Sequence, residues 1–118
     1  MRGIQMLGRC SMRNIEINWK EPWRAIQFSA EIPGVQNQVN LEISAKHPLF
    51  GKEPKSIGRH IDDDDVLVVH NDGTYVNVHL VWGKGIGAFP AEYPTWFAYG
   101  SVESFISAMN EDATQYEA

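Results

Sequence analysis

The chain has 118 residues, 43% of them hydrophobic and 21% charged, and a net charge of −5 at pH 7. That is enough chain for one domain with its own core, and too apolar for disorder throughout. Residues 1–40 carry five Arg/Lys against three Glu, whereas residues 41–118 carry five against twelve acidic residues; a field of that sign repels phosphate backbones, which disfavours nucleic acid and favours a basic protein partner.

The start, "MRGIQMLGRCSMRN", has no continuous apolar stretch and no small-residue cleavage site, so residues 1–13 read as a disordered lead. Cys10 is the single cysteine. An internal disulfide and a cysteine-based zinc site are therefore ruled out, which fits a reducing cytoplasm. No apolar run approaches the roughly 20 residues of a membrane span.

Alternation of Ile15 and Ile17 with polar neighbours predicts a strand over 14–19, followed by a turn at Pro22. Ile26, Phe28, Ala30 and Ile32 alternate again and predict a strand over 25–32, although a helix starting near Trp23 also fits. Ile32, Val35, Val39 and Ile43 stand at helical spacing and predict a helix over 33–46, with Pro33 in its first turn and His47-Pro48 discouraging continuation. Val39, Leu41 and Ile43 also fit a strand. Residues 47–54 form a loop with two prolines and a glycine. Short strands follow over 55–61 and 66–70, and Asn71-Asp72-Gly73 signals a hairpin into a strand over 75–82.

In that strand Val76, Val78, Leu80 and Trp82 share one face, which places Trp82 in the core. Residues 83–94 are a Gly/Pro-rich loop and 95–99 a last strand. Ser101 caps a helix over 101–110 with Val102, Phe105, Ile106 and Met109 on its apolar stripe. The acidic tail 111–118 reads as flexible. The expectation is one α+β domain over 14–110: a mainly antiparallel sheet with two helices packed on it.

The most conspicuous chemistry is "HIDDDDVLVVH" (60–70). Successive residues of an extended segment point to opposite sides, so Asp62, Asp63, Asp64 and Asp65 cannot all converge on one ion. The calcium-loop spacing and its distal Glu are also missing. The run therefore reads as a solvated acidic rim suited to docking a basic partner, with no metal or cofactor expected. His47, His60, His70 and His79 lack zinc-protease spacing; His47 reads as a loop-holding residue and His79 as a partly exposed sheet residue. "GKGIG" (83–87) lacks the Walker arrangement and reads as a flexible connector, and no activated nucleophile is evident. No enzyme is expected. Trp96, Phe97 and Tyr99 cannot all face inward from one short strand. Tyr93, Trp96 and Tyr99 are thus candidate anchors of a docking surface rimmed by Asp62–Asp65.

The segments "HPLFGK", "IGRHIDDDDVLVVHNDGTYVNVHLVW" and "YPTWFAYGSVESFISAM" resemble a group of short, mostly uncharacterised bacterial proteins. Those carry His-Pro-Leu-x-Gly, Asp-Asp-Val-Leu and Val-His-Leu-Thr-Trp segments, then a Pro-Thr strand and a final helix. The resemblance runs from about residue 35 to 110 and rests on His47-Pro48-Leu49, Asp64-Asp65-Val66-Leu67, Val78-His79-Leu80 and Trp82. Val81 stands where threonine is usual. Proteins of this size and style are similar to the immunity proteins of bacterial polymorphic and contact-dependent inhibition toxins. That analogy implies a cytoplasmic protein that binds the basic nuclease domain of a cognate toxin and blocks its substrate groove. Two further readings remain open: an adaptor domain that forms a homo-oligomer through a sheet edge, and a metal-dependent hydrolase using His60, His70 and His79 with Asp64 or Asp65.

Overall fold

A computed structural model describes residues 17–26, 31–83 and 89–117. The elements in chain order are β1 (Trp23–Ala25), α1 (Glu31–Glu42), β2 (Lys55–His60), β3 (Asp65–Val69), β4 (Tyr75–His79), β5 (Thr95–Gly100) and α2 (Val102–Glu117). The five strands pair in sequence order, each antiparallel to the next. This is the α+β sheet with two helices that the sequence predicts.

The helices lie on opposite faces, and the central strand explains why. Val66, Leu67 and Val68 of β3 are all 0% exposed. Alternation sends Val66 and Val68 to one side and Leu67 to the other, so both faces of β3 need a cover. On the first face Val66, Val68, Val76, Val78 and Leu80 form one cluster with Val35, Val39 and Ile43 of the α1 side and Leu49 of the following loop. On the second, Leu67 joins Trp23 of β1 and Phe105 and Met109 of α2. Trp23 meets Phe105 edge-on at 5.4 Å, and its indole N–H donates to Asp112 Oδ2 at 3.3 Å.

The β3–β4 hairpin turns where Asn71-Asp72-Gly73 predicted. Gly73 takes φ +89°, a conformation that costs a residue without Cβ nothing, and Asp72 Oδ1 accepts the Thr74 N–H at 2.9 Å. His47 holds the 47–54 loop as expected: Nδ1 accepts the Leu49 N–H and Nε2 meets the Pro94 carbonyl at 2.7 Å.

Several boundaries differ from the sequence reading. Residues 17–20 are not a strand, though Ile17 and Trp19 pack against the α2-side cluster; residues 14–16 lie outside the described residues. Of the strand expected over 25–32 only Ala25 lies in a strand, the three-residue β1 that begins at Trp23; 27–30 lie outside the described residues and Glu31–Ile32 open α1. The helical alternative for 33–46 is the one realised, ending at Glu42. The helix α2 runs past Asn110 to Glu117, because its apolar stripe continues through Met109 to the buried Ala113 and no Gly or Pro interrupts it. Trp82 is 43% exposed rather than buried, with φ +56°. The cause is the buried Glu42, which accepts the backbone N–H groups of both Val81 (2.8 Å) and Trp82 (2.7 Å). Those bonds pull the chain off the strand path after Leu80. "GKGIG" from Lys84 onward lies outside the described residues.

Candidate functional site

The site grows from the β2–β3 connection, Ile61–Asp64, and the first residue of β3. Backbone alternation divides the aspartates between the two sides of the sheet. Asp65 stands opposite His79 in the β3–β4 register, and the two side chains meet at 2.6 Å, Asp65 Oδ1 to His79 Nδ1. Asp63 leans to the same side, with Oδ1 at 3.4 Å from that nitrogen. Asn77, two residues inward on β4 and on the same face, donates its amide to Asp65 Oδ2 at 3.1 Å and to the Tyr99 hydroxyl at 3.2 Å. Asp64 goes the other way and accepts the Trp82 indole N–H at 3.2 Å. The Arg59 guanidinium lies over that indole, 5.5 Å from the ring centroid, and both Arg59 and Arg24 pair with Glu31.

The loop is therefore anchored. Asp63 Oδ1 accepts the Asp64 backbone N–H at 2.8 Å, and the Asp62 N–H donates to His60 Nδ1 at 3.2 Å. The hydrogen bond to Asp65 raises the affinity of His79 for its proton, partial burial opposes it, and the charges of Asp65, Asp63 and Asp64 add to the rise. When protonated, the imidazole so held is a counter-charge at the centre of the acidic group.

A groove opens beside these groups, lined by Asp63, Asp65, Asn77, His79, Thr95, Trp96 and Phe97. Its aromatic wall is β5. Phe97 pairs with Asn77 and so shares the α2 side, whereas Trp96 pairs with Val78 and points to the α1 side. They are 61% and 44% exposed, and Tyr93 just before the strand is 48% exposed.

Of the residues singled out in the sequence, Asp63 and Asp65 come together at the groove, with Asp62 and Asp64 on the adjoining loop. Trp96 borders the groove and Tyr93 is exposed nearby in sequence. Tyr99 is a support rather than a free anchor: its ring lies 5.2 Å from those of Phe97 and Phe105, and its hydroxyl meets Asn77. The three histidines of the hydrolase reading do not converge. His60 packs edge-on against Trp23 at 5.3 Å, and the buried His70 follows the far end of β3; only His79 meets an aspartate side chain. The sequence reading did not single out Asn77 and left Phe97 out of its candidate anchors, although the β3–β4 register would have found the first and alternation along β5 the second.

No protein-family model, curated protein or solved structure matches the chain. No helix among the described residues is long and apolar enough to cross a membrane.

Proposed function

We propose that the chain is a cytoplasmic immunity protein that binds the basic, nuclease-like domain of a cognate bacterial toxin and blocks it. The single observation behind this reading is an anchored acidic loop beside exposed aromatic rings. Asp65 is hydrogen-bonded to His79, Asp64 to the Trp82 indole and Asp63 to the Asp64 backbone N–H within the loop, and Trp96 and Phe97 present apolar surface beside the groove they share with Asp63 and Asp65. Carboxylates already fixed in place lose little freedom when a cation meets them. Their field speeds encounter with a basic surface, and the rings supply contact area at the centre. The toxin partner itself comes from the resemblance to immunity proteins.

The direct test is growth. The C-terminal domain encoded by the neighbouring reading frame is expressed alone and with this protein; toxicity relieved by co-expression supports the reading, and unrelieved toxicity or a harmless neighbour removes it. Calorimetry then probes the rim. Replacing Asp62–Asp65 by Asn is expected to weaken binding and flatten its salt dependence, and unchanged affinity and salt slope would remove the electrostatic part.

The outer edge of β5 favours a second reading, a homo-oligomeric adaptor. The other sheet edge, β1, is three residues long and carries Arg24, whereas β5 is six residues long with no charged side chain. Among the described residues no strand pairs with its outer side, and such an edge is a template for another strand. Light scattering that reports a monomer at high concentration rules this out.

A further inference from the structure

We propose that Asp63, Asp65 and His79 form a binding site for a first-row transition-metal dication, zinc foremost, on the α2 side of the sheet. One oxygen of each carboxylate and the imidazole Nδ1 lie within 4.8 Å of one another. Two donors that each sit about 2.1 Å from a zinc ion stand about 3.0–3.4 Å apart, depending on the bond angle. The Asp63–His79 separation of 3.4 Å already meets that. The 2.6 Å between Asp65 and His79 opens by less than an ångström when an ion replaces the proton the two share.

Three features set this group apart from a solvated acidic loop. The donors are mixed, with a nitrogen from β4 joining oxygens from the loop and from β3. Asp65 is sheltered, its side chain only 20% exposed, and its second oxygen is held by Asn77, which in turn rests on Tyr99. Such outer contacts are what orient metal ligands. The groove lined by Thr95, Trp96 and Phe97 lies in front of the donors and leaves the remaining coordination positions open to water or a partner's group.

The donor set also selects the ion. Calcium takes six to eight oxygens and magnesium keeps an oxygen octahedron, whereas an imidazole with carboxylates suits zinc and its neighbours. The proposal stands apart from the docking reading, since the isolated chain can hold an ion whether or not any toxin exists.

The test is calorimetric titration of the chelator-treated full chain with zinc, manganese, magnesium and calcium chlorides. Zinc is expected to bind with one-to-one saturation, and magnesium and calcium at least about tenfold more weakly. Asp63→Asn and His79→Ala are each expected to lower zinc affinity at least about tenfold, and Asn77→Ala by a similar factor through Asp65. Asp63 is exposed, so Asp63→Asn keeps the test valid should the His79 variant fold poorly; circular dichroism checks both. Absence of saturable zinc binding overturns the proposal. So does zinc binding that survives both Asp63→Asn and His79→Ala.

Discussion

On the α1 side of the sheet, the inward positions of β3 and β4 are aliphatic throughout: Val66, Val68, Val76 and Val78, followed by Leu80, all at 0–1% exposure. On the α2 side the same two strands present Leu67 at the centre, and Asp65, Asn77 and His79 toward the loop. The first face is closed over β3 and β4 by Val35, Val39 and Ile43 together with Leu49 of the following loop. The second is closed around Leu67 by Phe105 and Met109 of α2, with Ile17 and Trp19 packed beside them, and a cleft lined by Trp23, His60, Asp65, Asn77, Tyr99 and Asp112 marks the limit of the cover. Polar residues at inward-facing positions are costly under a helix unless every donor and acceptor is matched. Leaving them at an open end avoids that cost and makes them available. The contrast is between a face that is apolar and buried across β3 and β4 and a face that is buried at Leu67 but leaves Asp65, Asn77 and His79 at an open end.

Core truncations should break the contrast if it is wrong. Phe105→Ala removes the ring that meets Trp23, Trp19 and Tyr99, and is expected to cost about 3–5 kcal/mol in urea unfolding; Leu80→Ala on the opposite face should cost about 2–5 kcal/mol. Losses of similar size at His79→Ala and Asn77→Ala would mean that the open half is core after all.

The closed half was legible in the sequence because burial writes a period. The strands expected over 55–61, 66–70 and 75–82 correspond to β2, β3 and β4, with alternation marking the last; the Asn-Asp-Gly turn joined the last two, and the Val102–Met109 stripe located α2. The first 46 residues were harder, since Ile26 to Ile43 satisfies two periods at once and tertiary contacts decide between them. Trp82 was misplaced because the bonds that turn it outward come from Glu42, forty residues away, and no local pattern carries that. The site was half visible. Alternation correctly prevented four aspartates from converging, yet it also puts Asp63 and Asp65 on one side, and the hairpin register then brings His79 to them.

Glu42 is the next test. Its carboxylate accepts from Val81, Trp82 and Gln38 in a buried position. Glu42→Ala strands two backbone N–H groups and is expected to cost about 1–3 kcal/mol for each that stays unmatched. Fluorine NMR with 5-fluorotryptophan should show the Trp82 resonance shift as its indole leaves Asp64. An unmoved resonance would mean that Asp64 and Arg59 hold Trp82 without Glu42.

Two histidines should report the two environments with opposite signs. His79 is raised by the Asp65 hydrogen bond and the surrounding carboxylates. Its contribution to stability is therefore complete below the unperturbed value of 6.5 and lost as pH climbs through its folded value. His70 is lowered, chiefly because burial disfavours its charged form. Its contribution is present above 6.5 and lost as pH falls through the depressed value. Imidazole NMR titrations in chelator-containing buffer should separate the two midpoints on either side of 6.5, and Asp65→Asn should bring only that of His79 back down.

The smallest effect is expected at Phe97, and it bears most directly on the open half. Phe97 is 61% exposed and lies on the α2 side beside Asn77, beyond the cover of the helix. A ring so exposed contributes little to the folded chain alone, apart from its edge contact with Tyr99 at 5.2 Å. Phe97→Ser should thus change urea stability by about 0.5 kcal/mol or less, in the range of ordinary surface substitutions. The same substitution should weaken binding of a partner that covers β5 by more than 1 kcal/mol, the loss expected at an aromatic anchor. A stability loss comparable with that of Phe105→Ala would place Phe97 in the core and erase the distinction between the covered and open halves.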